Sequence, residues 1–360
     1  MAITKIPAAG FSDAVNFRNI IINGDMSIAQ RSTSETGQTS SGYICVDRFR
    51  HGINNQGTWT ISQSTDVPSG QGFANSMKMD CTTADASPAA DDYIWFEQRI
   101  EGFANLQHLK KGTSNAESIT VSFWVNATKT GTNVLELYDK DNTRHICQTY
   151  TINSSNTWEK KTITFDADTT GTFNNDNGES ASLLFWIGAG SNYTSGALDT
   201  TWGSVSGRAA HRAGGQVNHA DSTSNNFYLT GIQMEAGTSA SDFEFLPHDV
   251  NLQRCYRYFQ KHFKSNSEGI LGGFRSTSVV HYPLKLFTTM RTTPSFSVLG
   301  LTVNDLSDGS NTTVTGANQQ NAGTCNDTIW IAGTLSSSDG TVGGTAVVYG
   351  ANGLEVSSEL

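Results

Sequence analysis

Alternation of apolar and polar positions is the strongest signal in this chain. Ile119, Val121, Phe123 and Val125 alternate with Thr120, Ser122 and Trp124, the period of two expected of a half-buried strand. Trp59 and Ile61 alternate in the same way within 58–64. Further strand-like runs fall at 76–82, 92–102, 133–140, 159–167, 182–190 and 226–237. The segments between them, such as 169–178, are rich in Asn, Asp and Gly, as turns are. Regularly spaced short strands predict an antiparallel sandwich. Near the start, Ile20 and Ile22 share a face of an extended chain, Met26 and Ile28 continue the alternation, and Asn23-Gly24-Asp25 lies between. This predicts an opening strand with a bend or hairpin.

One segment changes period. From Asp249 to Phe263, Leu252, Cys255, Phe259 and Phe263 fall near one helical face, with Arg254, Arg257 and Lys261 largely elsewhere. Asp249 can cap this helix, and Pro247 marks the boundary before it. Strand patterns return at 279–287, 294–303, 327–335 and 345–353. The predicted organisation is an N-terminal arm (1–16), a sandwich domain (17–247), and a short helix with a small β-sandwich domain (248–360). No internal repeat, Gly-X-Y tract or long heptad series is visible, so a fibre shaft is not predicted.

Composition agrees with an all-β chain. Hydrophobic residues make up only 36% of the 360 positions, with Ser, Thr, Asn and Gly in their place. A net charge of -10 repels phosphate backbones and argues against nucleic acid as a partner. Cys45, Cys81, Cys147, Cys255 and Cys325 are odd in number and far apart. This is no disulfide framework, and it predicts synthesis in a reducing cytosol. The N-terminus has no signal-peptide core, and no apolar run is long enough to span a membrane. Sequons such as Asn126-Ala-Thr are expected by chance in so Asn- and Thr-rich a chain.

Catalytic signatures are absent: there is no Walker A sequence, GxSxG elbow or HExxH. His211 and His219 share a Gly-rich loop without a neighbouring acid or thiol, and read better as solvated histidines than as a metal pair. Asp91-Asp92, or Glu97 with Glu101, are the acid pairs a glycosidase would need, but among 33 acids some proximity is inevitable. Aromatic residues say more. Trp59, Trp124, Trp158 and Trp186 sit in or beside strands and read as packing. Tyr193 and Trp202 lie in a long polar segment with Asn192 and Asp199. A flat ring beside amides and carboxylates can hold a sugar, the ring covering its apolar face and the polar groups taking its hydroxyls. These four are the glycan-binding candidates. The alternative is that the rings pin the loop to the sandwich.

The order of short motifs resembles a known family. Asn19-Ile-Ile-Ile-Asn23-Gly24-Asp25-Met26 resembles the first strand of jelly-roll carbohydrate-binding modules. Gln30-Arg31, Val46-Asp47-Arg48-Phe49, Gln98-Arg99-Ile100-Glu101-Gly102, Thr157-Trp158-Glu159, Leu229-Thr230-Gly231-Ile232-Gln233-Met234-Glu235-Ala236-Gly237, Phe243-Glu244 and Cys255-Tyr256-Arg257-Tyr258 follow in order. Together with 119–125 the set is similar to bacteriophage tail-fibre and related virion proteins common in marine phages. The resemblance implies a jelly roll over 17–247 whose strand at 226–237 returns beside the opening one. Tyr282-Pro283-Leu284, Met290-Arg291-Thr292-Thr293-Pro294 and the closing Glu359-Leu360 are similar to the C-terminal β domain of that family. It also implies a homotrimer, and a structural calcium for which Asp25 and Glu235 are the oxygen donors on offer. Alternatively Asp25 caps its turn and Glu235 pairs with Arg31 or Arg48.

The expected function is a non-enzymatic virion protein, made in the host cytoplasm, that recognises a host-surface glycan. Its partners would be other tail or capsid proteins and that glycan. A capsid decoration, head-fibre or tail-adaptor protein is the alternative reading, and a glycan depolymerase the remote one.

Overall fold

The computed structural model describes residues 17–104, 106–263, 265, 268–319, 328–350 and 353–360. The expected N-terminal arm (1–16) and Cys325 lie outside the described residues. The protein is all-β, with two short α-helices and two 3-10 turns among the described residues. It divides into two units: 17–27, 34–44 and 49–246 form the first, while 28–33, 45–48 and 247–360 form the second. The expected contiguous boundary at 247/248 is therefore corrected, since two short N-terminal segments pack with the C-terminal unit. Among the described residues no helix is long and apolar enough to cross a membrane.

The first unit is a jelly-roll sandwich. Its strands are β1 (Ser34–Gly42), β2 (Arg50–Ser64), β3 (Ser76–Thr83), β4 (Tyr93–Glu101), β5 (Ile119–Ala127), β6 (Gly131–Asp139), β7 (Arg144–Ile152), β8 (Glu159–Phe165), β9 (Glu179–Ala189), β10 (Gly203–Ser204) and β11 (Asn226–Ala236). A one-turn helix α1 (Ser191–Thr194) follows β9. Hydrogen bonding runs β10-β7-β6-β9-β4-β2-β3-β11-β5-β8, with β1 on β2. The path is continuous, yet it folds into two layers at β2. The start of β2 pairs with β4 and its end pairs with β3. Between them Asn55 (φ 52°) and Gly57 (φ 75°) break the extended backbone. The layers then meet through their apolar faces. Phe123 on β5 lies 5.0 Å from Phe185 on β9 and 5.0 Å from Tyr150 on β7.

The opening stretch is a kinked segment rather than a strand. Asn23 has φ 61°. The segment does lie along β11, through Ile20 N–H to Met234 O (2.9 Å) and Ile232 N–H to Gly24 O (2.9 Å). Asn19 completes the pairing with its side chain, donating to Ile232 O and accepting from Met234 N–H.

The second unit starts with α2 (His248–Tyr256). Asp249 sits in the first turn, but no side chain caps the helix and Pro247 holds the cap position. The expected helix to Phe263 is half right: Phe259 and Phe263 leave it, because 259–262 form β12 (Phe259–His262) against β20 (Leu354–Ser357). β15 (Ser295–Val298) pairs the other side of β20. The rest is not the expected second sandwich. β13 (Gly269–Ser276), β14 (Val279–Lys285), β16 (Leu301–Asp305), β17 (Asn311–Gln319), β18 (Thr328–Leu335) and β19 (Thr345–Tyr349) close into a barrel in the order β13-β14-β18-β17-β16-β19. Closure leaves no free edge. Tyr282, Val303, Ile331 and Val348 fill its interior.

Within this unit the short N-terminal segments meet the chain end. Arg48, 1% exposed, stacks 3.5 Å above Tyr258 and pairs with Glu359. Arg31 stacks 3.6 Å above Phe259 and reaches Glu359 at 3.3 Å. Gln30 bonds Asp47 through its main chain (2.9 Å) and its side chain. Gln30, Arg31, Asp47, Arg48 and Tyr258, from three of the motifs quoted above, therefore pack in one cluster with Glu359.

Candidate functional site

The outward face of the second sheet gathers aromatic rings with charged and amide side chains. Alternation places Phe123 and Val125 inward, so Trp124 and Asn126 point away from the core. On β11, Phe227 and Leu229 are buried, so Asn226 and Tyr228 share that outer face. The register sets Tyr228 between Lys78 of β3 and Asn126 of β5, and Trp124 between Thr230 of β11 and Lys160 of β8. Trp124 and Tyr228 are thus diagonal neighbours. Trp158, just before β8, brings its ring to 6.1 Å from Tyr228, edge to face. Its indole N–H donates to Asp66 Oδ1 (2.9 Å). Lys78 lies 5.8 Å over the Tyr228 ring and pairs with Asp80 at 3.5 Å.

Two further details belong to this face. The side-chain oxygens of Asn126 and Asn226 are buried without a hydrogen-bond donor, and Asn126 is only 5% exposed. Such an atom costs about 1–3 kcal/mol. Next to the rings, Gly231 has φ 63°, and a Cβ there would lie 2.6 Å from the Phe73 ring and 3.1 Å from Trp124. The missing side chain lets Phe73 and Trp124 close over β11. Phe73 is in turn 5.0 Å from Phe245, which is 49% exposed. The apolar surface thus extends beyond the strand face.

The residues expected to bind sugar lie elsewhere, in 190–219, which folds over the opposite sheet. Tyr193 on α1 packs 5.4 Å from the buried Trp186 and 5.7 Å from Tyr93. Asn192 is exposed, its main-chain N–H bonded to Ala90 O. Asp199 is tied down by Arg208, with His145 Nε2 at 3.0 Å. Trp202 donates to Asp166 O (2.7 Å) and lies 5.0 Å from the Lys111 ammonium. Tyr193 and Trp202 have different partners and do not make one surface. Each ring contacts the sandwich beneath the loop.

Beneath that loop Glu136, His145 and Cys147 bring potential ligand atoms within 4.8 Å of one another. The set does not suit a cation. Glu136 already accepts from Arg212 (2.8 Å) and Trp186 Nε1 (3.0 Å), with His145 Nδ1 at 3.0 Å. Burial alone would raise the Glu136 carboxyl, but the Arg212 charge and the bonds from His145 and Arg212 hold it below the ordinary value. The bond from Arg208 likewise lowers Asp199. Burial pushes the Cys147 thiol up, so it is inert. Cys45, Cys81, Cys147 and Cys255 are all buried free thiols.

Asp25 and Glu235 do not fit the implied calcium. Glu235 accepts from Ser241 N–H (2.9 Å), Ser241 Oγ (2.7 Å) and Gln233 (2.8 Å), with Arg18 at 3.7 Å. Asp25 accepts from Ser27 (3.1 Å). The arginine beside Glu235 is Arg18, not Arg31 or Arg48. Nor is His219 a solvated loop residue. It is fully buried, bonded to Asn133 (2.7 Å), and burial lowers it to about 3. His211 bonds Ala197 O instead, so the two histidines do not form a pair.

No protein-family model matches the chain, and no curated protein is similar to it. Among solved structures it is similar to the enzymatically active domain of tailspike protein 4 of bacteriophage CBA120. Identity is 12% and the TM-score 0.32, over 61% of this chain and 21% of that domain. The carbohydrate-binding module TmCBM61, solved with β-1,4-galactotriose, is 8% identical with a TM-score of 0.31, over 61% of this chain and 99% of the module. The family 11 carbohydrate-binding module of Clostridium thermocellum, solved with a β-1,3-1,4-mixed-linked tetrasaccharide, is 12% identical with a TM-score of 0.28, over 57% and 98%. What the outer face can do follows from its own residues.

Proposed function

We propose that this protein is a non-catalytic glycan-binding protein and that the outer face around Trp124 and Tyr228 is its binding surface. The observation that carries this is the joint placement on one outer face of the rings of Trp124, Tyr228 and Trp158, with Lys78 and Lys160 beside them. Rings cover the apolar face of a pyranose, and the polar side chains that border them take its hydroxyls. One member of each acid pair is already engaged, which supports binding without chemistry. Glu97 is held by Arg50 (2.6 Å) and Arg99 (3.4 Å), and Asp92 accepts from Ala89 N–H (2.6 Å). The setting we propose is a bacteriophage particle, on the sequence motifs that resemble virion proteins. There, host-surface attachment by a homotrimer would multiply weak single-site affinity.

A glycan array with the intact protein, Trp124→Ala, Tyr228→Ala and Trp202→Ala tests the assignment. Loss in the first two variants, at unchanged melting temperature, supports it. Loss in Trp202→Ala alone would move the site to 190–219, and no glycan bound by the intact protein would end the reading. A second reading, a structural virion component, is favoured by apolar side chains on the barrel exterior: Leu271 is 63% and Trp330 50% exposed. Immunogold label spread over the capsid would favour it, and label at the tail would favour attachment.

A further inference from the structure

We infer that the outer face selects a carboxylated glycan, one carrying uronic-acid or similar acidic sugars, and this rests on the glycan-binding role proposed for the same face. The residue that carries it is Lys160. The β5–β8 register sets Lys160 directly opposite Trp124, and its side chain is exposed. The lysines around it each have an acid of their own: Lys78 pairs with Asp80, Lys129 with Asp221 and Lys161 with Glu159. Among the described residues Lys160 has no ion pair. Asp66 takes the Trp158 indole N–H.

Position makes this ammonium selective. Directly opposed side chains on neighbouring strands have Cβ atoms about 4.5–5.5 Å apart. A pyranose stacked on Trp124 projects its substituents sideways, in the plane of its ring. A carboxylate there falls within reach of Lys160 Nζ, and a charge-assisted bond forms. A neutral hydroxymethyl group in that place leaves the ammonium to water. The rings stack on the pyranose in either case, so Lys160 discriminates while the rest of the face binds.

The test uses an array carrying polygalacturonate, alginate and hyaluronan, their carboxyl-reduced counterparts, and neutral glycans. Titration calorimetry on the polymers retained would be done with the intact protein and with Lys160→Gln. Carboxyl reduction is expected to weaken binding about tenfold, which is 1.4 kcal/mol, and Lys160→Gln to remove the difference without weakening the reduced polymer. Equal affinity for acidic and reduced polymers would overturn the acidic selectivity and leave the glycan role standing. So would acidic binding that Lys160→Gln does not change. If no glycan of either kind is retained, the glycan role itself fails.

Discussion

Replacing Lys111 with methionine should destabilise the first unit by roughly 4 kcal/mol. The ammonium is buried, and four oxygens converge on it: Asp139 Oδ2 at 2.5 Å, Asp168 Oδ2 at 3.0 Å, and the carbonyls of Thr170 and Gly171 at 3.0 Å. Methionine preserves most of the volume and removes the charge. Asp168 keeps a compensating cation, because Arg144 holds it with two bonds of 2.8 and 3.0 Å. Asp139 does not. It is fully buried and retains only the donors of Asn142. Stranding one buried carboxylate costs about 3–5 kcal/mol, and two carbonyls lose a donor as well. In a unit of this size that lowers the melting temperature by roughly 8–15 °C. Urea and thermal unfolding followed by tryptophan fluorescence will read it, Trp202 lying beside Lys111. Adding Asp139→Asn should recover about half of the loss, since the stranded charge is gone. A single variant that loses less than about 1 kcal/mol, or a double variant no better than the single, would refute the account.

Gly231→Ala should cost about 1–3 kcal/mol, from the positive φ and from collision with Phe73, and should weaken glycan binding because Trp124 must shift; melting and array data on one preparation check both. Arg48→Met should destabilise the second unit by about 3–5 kcal/mol, because Glu359 loses its closest cation; barrel tryptophan fluorescence in urea would show it, and an unchanged midpoint would contradict it. Stability should rise with pH between about 4 and 6.5, because burial lowers His219 to about 3 and His51 to about 4. The unfolded chain binds those protons first, so each contributes a slope of up to about 1.4 kcal/mol per pH unit, lost as the pH falls. Glu136, Asp168 and Asp199, all lowered, extend the same loss to more acid pH, while Asp47, raised by burial, opposes it. Equilibrium unfolding at pH 4.5, 5.5 and 7 would measure the slope, and a flat profile would contradict it.

The chain itself determined that it would be a β protein. Ile119 to Val125 alternates with a period of two, and that period decides which side chains face the core whatever the partner strand. It also put Trp124 out of phase with its apolar neighbours. That was the one legible sign of the outer face, although such a ring equally suits plain packing. β7 was less legible, because Arg144–Ile152 mixes Cys, His and Thr into its pattern. The helix that ends at Tyr256 was overread because Phe259 and Phe263 also fit a helical period; pairing with β20, near the far end of the chain, decided otherwise. Tertiary structure alone decided what the rings would do. Tyr193 and Trp202 have the local composition of a sugar site, but each packs on a different partner, Trp186 and Lys111. Trp124, Tyr228, Trp158, Asn126 and Asn226 lie in three separate stretches of sequence, and only the register of β8, β5 and β11 brings them together. Local periodicity is written in neighbouring residues, whereas a binding face is set by which strands pair, and long-range pairing leaves no trace in any one segment.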